Sequence, residues 1–156
     1  MDPIAERIEL PAGYGTATTT MDWSAVRERL EQAPRYWLVT LRPDGRAHIV
    51  PVDGVWLDDA WWYGGSPATL HRRNLERDQR AVVHLEDAAA AVILEGTMRR
   101  VTPPAELTSR LLAASKAKYG YGPPPEAYAA GIWALYPERA RAWSAFPTDV
   151  TRFRFG

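Results

Sequence analysis

Between residues 36 and 65 three β-forming runs follow one another with almost nothing between them. The first, "YWLVTL" at 36–41, leads into "RPDG", where Pro43 favours a turn and Gly45 is free to take a positive φ. The second, "RAHIVPVDGVWL" at 46–57, is the return strand of a hairpin, and Asp58–Asp59 then turns the chain into "AWWYGG". Links this short join antiparallel neighbours, because a parallel pair needs a crossover of a dozen residues or more. Pro51 has no N–H to donate, so its strand belongs at an edge or a bulge.

The pattern continues with a fourth strand, "RAVVHLED" at 80–87, and a longer fifth, "AAAAVILEGTMRRVT" at 88–102. Upstream, "MDWSAVRERLEQAP" reads as a helix capped by Asp22 or Ser24, with Val26 and Leu30 on one face and Pro34 ending it. From Pro103 the period changes to that of a helix, with Leu107, Leu111 and Leu112 on one side. "YGYGPPPEAYAAG" at 119–131 is a proline-stiffened loop with room for a short helical turn. Then comes a strand to Tyr136, a turn at Pro137–Glu138, a further strand, and "TRFRFG" as a terminal strand. Residues 1–21, punctuated by Pro11, Gly13 and Gly15, read as a partly flexible lead-in. The expectation is a single domain over 1–156, mainly β with flanking helices, its six or seven antiparallel strands rolled into a barrel.

Composition narrows the function classes. Nineteen basic and 19 acidic residues leave no net charge, which argues against a general nucleic-acid binder. With no cysteine there is no disulfide, thiolate metal site or cysteine nucleophile. No apolar run reaches the length of a membrane span, so the expectation is a cytoplasmic protein with no membrane partner. Seven tryptophans are many for this length; core and interface account for most, and planar-ligand pockets also use them. Nucleophile elbows, phosphate loops, dinucleotide fingerprints and HExxH are all absent. His48, His71 and His84 lie on separate elements without metal-ligand spacing, so no metal site is expected.

One segment stands apart: "SPATLHRRNLERDQR" at 66–80. Ser66 and Thr69 place hydroxyls beside the start of a helix near Pro67, where free amides favour an anion. Arg72, Arg73, Arg77 and Arg80 add charge in a form suited to phosphate. Two readings stand side by side, an anion cradle and an ordinary capped helix with a solvated basic face.

Read with its neighbours, this segment resembles the pyridoxamine-phosphate-oxidase-like flavin-binding split-barrel family, and within it the small actinobacterial branch that holds FMN or the deazaflavin F420. "WLVTLRPDGRAHIVPVDGVWLDDAWWYGG" is similar to the first three barrel strands. "SPATLHRRNLERDQRAVVHLE" is similar to the cradle before the fourth, "VILEGTMRRV" to the next strand with its Glu-Gly, and "ALYPERARAWSAFPTDVTRFRF" to the branch's C-terminal signature. The resemblance spans residues 23–156 and implies a split β-barrel that forms a homodimer, with cofactor in the clefts between subunits. It implies a phosphate end held by Ser66, Thr69, His71, Arg72 and Asn74. It implies a ring lying against His48, Ile49, Val50, Pro51 and Val52. The partner chain would contribute Trp133, Trp143, Arg152 and Phe153.

Three positions depart from the family pattern. His71 stands where lysine is common, Leu70 where another basic residue is frequent, and Gln79 where proline is usual. A neutral histidine weakens a phosphate clamp unless a ligand raises its pKa or Arg72 and Arg73 compensate. Arg77, Arg80, Arg99 and Arg100 are candidates for the acidic tail that distinguishes F420 from FMN. The implied activity is a flavin- or deazaflavin-dependent oxidoreductase acting on a planar small molecule, with the loop at 119–131 over the pocket. The alternatives are a non-catalytic FMN- or F420-binding or storage protein and a haem-binding relative that uses His48, His71 or His84.

Overall fold

A computed structural model describes residues 1–156. Its elements are, in chain order, β1(Ile4–Arg7), α1(Trp23–Gln32), β2(Tyr36–Leu41), β3(Ala47–Val52), β4(Val55–Leu57), β5(Ala60–Tyr63), α2(Leu70–Arg77), β6(Arg80–His84), β7(Val92–Val101), α3(Ala105–Tyr119), α4(Pro125–Ala129), β8(Ile132–Ala142) and β9(Thr151–Arg154). Every strand pairing is antiparallel, as the short turns require.

The six- or seven-stranded barrel is not what forms. Nine strands make one open sheet in the order β1-β9-β8-β7-β6-β2-β3, with β4 attached through β5 and β5 attached to β8. The path ends at β1 and β3, and these two strands do not pair with each other. The cause lies in β8. Its first half pairs with β5, Trp133 to Leu135 against Tyr63 to Trp61, and its second half with β9, Arg139 to Ala142 against Arg154 to Thr151. One long strand with two successive partners on the same side forks the sheet instead of closing it.

Three local differences follow from single residues. The run expected as one return strand breaks at Asp53–Gly54 into β3 and β4, because a Cβ at Gly54 would collide with the buried Trp61 indole. The expected turn at Pro137–Glu138 is instead a bulge within continuous β8: the register passes from Glu95↔Arg139 to Gly96↔Pro137, leaving Glu138 as the extra residue. Gly96 permits it, since a side chain there would strike the Tyr136 carbonyl. Within the lead-in, residues 4–7 form an edge strand held on β9, with Glu6 accepting from Arg152 Nε at 3.2 Å and Arg154 Nε at 2.8 Å.

Helix α1 buries Trp23, Val26 and Leu30; Asp22 is its N-cap position but its side chain caps nothing. The main core gathers these with Tyr36, Leu38, Trp56, Trp61, Leu94, Trp133 and Phe153. A second cluster, built from Val55, Trp62, Leu111, Tyr128 and Ile132, packs under α3 and α4. Five of the seven tryptophans (Trp23, Trp56, Trp61, Trp62 and Trp133) are no more than 5% exposed, so most of the aromatic surplus is core. Pro51 lies on the edge strand β3, as its missing N–H requires. No helix is long and apolar enough to cross a membrane.

Candidate functional site

A cavity of about 570 Å³ opens between the second cluster and the start of α2, within the size range of small-molecule sites. Its walls come from five stretches: the β3–β4 turn, the end of β5, the first turn of α2, Arg100 on β7, and the region from α3 to the start of β8. The wall is rich in aromatics, with Trp62, Tyr63, Tyr119, Tyr121 and Tyr128. Gly64 and Gly65 end β5, and Gly65 has φ 62°, placed so that a Cβ would strike the Tyr63 hydroxyl. The chain then turns through Ser66–Thr69. Thr69, not Pro67, is the N-cap: its Oγ1 donates to the Ser66 carbonyl at 2.8 Å and accepts from Arg72 N–H at 3.4 Å.

The roof is the 119–131 loop. Tyr119 Oη accepts from Gly54 N–H at 3.0 Å and donates to the Gly54 carbonyl at 2.9 Å. Tyr121 donates to Asp53, which Arg35 also holds at 2.8 Å. Along α3, Leu111, Ser115 and Tyr119 recur at intervals of four residues and so face the cavity together.

Charge in the cavity is one-sided. Arg72 is 6% exposed and in no ion pair. Its Nη1 donates to the Gly64 carbonyl and, at 2.7 Å, to that of Gly65. Its Nε is buried with no acceptor, and its Cζ lies 5.9 Å from the Trp133 ring centre. Burial pulls its pKa down, and the nearby Tyr63 and Glu76 offset this only in part. Arg100 adds a second guanidinium at the rim, donating to the Ala130 carbonyl at 3.0 Å. Asp53 is the sole carboxylate in the lining and is already engaged by Arg35 and Tyr121.

His71 is 9% exposed, its Nδ1 shares a hydrogen bond with the Tyr63 hydroxyl, and its ring stacks on His48 at 6.2 Å. Burial first, then the neighbouring His48 and Arg72, lower its pKa, so the ring is neutral at pH 7. Burial pushes Tyr63 up to about 12, so its hydroxyl keeps its proton. His71 therefore adds no charge, and the unpaired positive charge of the cavity rests on Arg72, since Arg100 lies 3.8 Å from the Glu76 carboxylate. The residues fit an anionic group: an orphaned guanidinium nitrogen beside an α-helix N-terminus is what a phosphate or carboxylate satisfies.

Of the residues singled out from the sequence, Val52, His71 and Arg72 line this cavity. Ser66 and Thr69 form the turn beside it, and Asn74 is buried behind it, donating to Thr40 Oγ1 at 3.0 Å. His48, Ile49, Val50 and Pro51 continue along β3 away from the cavity, with Ile49 54% exposed on the open edge. Trp133 and Phe153 are core residues, 3% and 0% exposed. Trp143 packs edge-on to Phe146 near the surface, and Arg152 is paired with Glu6. Of the four arginines considered for an acidic tail, Arg100 lines the cavity; Arg77 donates to the Leu41 carbonyl, Arg80 pairs with Asp78, and Arg99 lies over Tyr136. No group of three or more His, Asp or Glu side chains is placed to hold a metal ion.

Tyr63, Tyr121, Tyr128 and Ser115 were not foreseen as site residues. A tyrosine directly before Gly64–Gly65, and three tyrosines around the Pro123–Pro125 run, are the signals that pointed to them.

The sequence profile of pyridoxamine 5'-phosphate oxidase matches residues 23–144. The chain belongs to that family. No protein of curated function matches it by sequence. Among solved structures, a conserved hypothetical protein from Mycobacterium tuberculosis is similar, with TM-score 0.66 and 21% identity over 81% of this chain and 87% of that one. An F420 reductase aligns with TM-score 0.56 and 18% identity over 84% of this chain and 98% of the other. The heme storage protein HutZ from Vibrio cholerae aligns with TM-score 0.56 and 17% identity over 74% and 89%. At such identities the likeness is one of fold alone.

Proposed function

We propose that this family member binds a planar, anionic cofactor of the flavin or deazaflavin class, FMN or F420, in the cavity roofed by residues 119–131. The observation that carries the reading is Arg72: a guanidinium, 6% exposed, in no ion pair and with an unsatisfied Nε, lining a cavity otherwise walled by aromatics. On this reading Arg72 and the free N–H groups at the start of α2 hold the phosphate. Arg100 meets a longer acidic tail, which would favour F420 and the actinobacterial branch. Tyr63 and Tyr128 exclude water from the ring.

A bound flavin or deazaflavin supplies hydride transfer itself; the chain supplies binding and orientation. The protein is then an oxidoreductase acting on a planar small molecule, and a storage role is the version of the same reading without turnover. A homodimer accords with it, because β3 is an open sheet edge carrying Ile49 and Pro51 outward. A cytoplasmic setting supplies such cofactors. Haem binding is the second reading, supported by the fold shared with a heme storage protein and by the His48–His71 stack.

The test titrates the purified protein with FMN, F420 and haemin, alongside Ala127→Trp, which fills the cavity from its roof. FMN or F420 binding at about micromolar Kd, lost in Ala127→Trp, supports the proposal. Turnover of planar acceptors then separates an enzyme from a store. A Soret band lost in His48→Ala selects the haem reading. Failure of all three ligands to bind below about 100 μM overturns both.

A further inference from the structure

Lysine occurs at two positions in the chain, 116 and 118, against a background in which arginine supplies every other basic side chain apart from histidine. The two differ in setting because, two residues apart, they point to nearly opposite sides of α3. Lys116 is exposed on α3. Lys118 is half-buried over a second hollow, of about 360 Å³, lined by Glu31, Val55, Trp56, Ala114 and Ala117. This hollow lies on a different face of α3 from Leu111, Ser115 and Tyr119, which line the cofactor cavity.

Lys118 Nζ donates to Tyr36 Oη at 2.9 Å, and that hydroxyl donates in turn to the Leu30 carbonyl at 2.5 Å. The ammonium lies 5.0 Å from the Tyr36 ring centre and 5.9 Å from that of Tyr119. It is in no ion pair, although Glu31 borders the same hollow. The buried Trp56 ring also borders it. An amine held by one fixed hydrogen bond above an apolar floor, with a carboxylate at the rim, suits the carbonyl carbon and apolar substituent of an aldehyde.

We propose that Lys118 is a reactive amine that captures small apolar aldehydes as a reversible imine. The Nζ lone pair adds to the carbonyl carbon and the carbonyl oxygen takes up a proton, giving a carbinolamine. That oxygen then leaves as water, and the C=N bond forms with no net oxidation or reduction. Val55, Ala114, Ala117 and the Trp56 ring receive the apolar substituent, and Glu31 stabilises the iminium charge. Tyr36 fixes the amine's direction.

Burial lowers the Lys118 pKa to about 8, which supports this geometry. At pH 8 about half of such amines are free base, against about 0.3% of an ordinary lysine, a gain of roughly 150-fold. Intrinsic nucleophilicity falls with pKa, by about 0.4–0.5 log per unit if amines follow thiols, leaving a net advantage of about tenfold.

The experiment incubates the intact protein with benzaldehyde and cyanoborohydride, which reduces any imine to a stable amine, and maps the adduct by peptide mass spectrometry. The expected result is alkylation of Lys118 about tenfold faster than Lys116, a rate rising through pH 8, and no adduct at 118 in Lys118→Arg. Tyr36→Phe should slow alkylation without changing its site. Glyoxylate, a charged aldehyde, should react more slowly than benzaldehyde. Equal labelling of the two lysines, or a preference for glyoxylate, overturns the proposal.

Discussion

Replacing Arg72 with methionine separates the cost of this residue to the fold from its value to a ligand. In the folded protein its side chain makes hydrogen bonds from Nη1 to the Gly64 and Gly65 carbonyls and leaves Nε unsatisfied. Charge-assisted bonds of this kind contribute about 1.5–3 kcal/mol each. Taking an unpaired guanidinium out of water costs several kcal/mol, and an unbranched apolar side chain of similar length removes that cost. The two effects cancel to within roughly 1–2 kcal/mol, so urea unfolding of Arg72→Met should track the wild type closely. Binding should not. Removing the partner of a buried anion costs about 2–5 kcal/mol, which is about 30-fold to 4,000-fold in Kd. Fluorescence titration with FMN and with F420, beside the unfolding curves, reads both quantities. Arg72→Lys should fall between, because it keeps the charge and loses the fork. Unchanged affinity in a folded Arg72→Met would refute the anion-site argument. A collapse of stability would show that the residue serves the fold.

Other perturbations test neighbouring parts of the argument. His71 has a folded pKa below its unfolded value, so the unfolded chain binds more protons in the window below pH 6.5 and stability falls there on acidification; thermal midpoints from pH 7 to 5 should drop more for wild type than for His71→Gln. Lys118 is depressed to about 8 from 10.5, so stability should rise with pH across that interval, and Lys118→Met should flatten the rise in urea melts at pH 7.5 and 9.5. Tyr119→Phe leaves the Gly54 N–H and carbonyl without their shared partner and should lower stability by about 1–3 kcal/mol in denaturant unfolding. Gly54→Ala drives a methyl into the Trp61 indole and should cost about as much by overpacking, read as a lowered Tm.

The hairpin at 36–52 was legible because its signals are local: β-formers, Pro43 and Gly45 in the turn, and Pro51 on an edge. Helices α3 and α4 were legible for the same reason, down to Gly120 in the left-handed conformation at the end of α3. The open sheet was not, because closure depends on which strands meet at β8, and no residue of β8 announces that its two halves take different partners. Pro137 read as a turn since a missing N–H is common to turns and bulges; Gly96, facing it across the ladder, decides between them. At the site, the basic segment disclosed Arg72 through its sequence neighbourhood. Tyr128 and Arg100 reach the same cavity from distant stretches, a convergence that only tertiary packing creates. Asn74, in the same basic segment, donates to Thr40 Oγ1, a partner 34 residues away that its sequence neighbourhood did not disclose.

The two bonds between Tyr119 and Gly54 bear on how the cavity selects what enters it. A roof fixed to backbone atoms has been ordered during folding, so a ligand arriving beneath it finds its shape already set. Little entropy remains to be lost at that wall, which favours tight retention of a small rigid ring. It also limits the freedom to widen: a bulkier guest must first break the Tyr119–Gly54 hydrogen bonds. Selection by size would then rest on one phenolic hydroxyl at the end of α3.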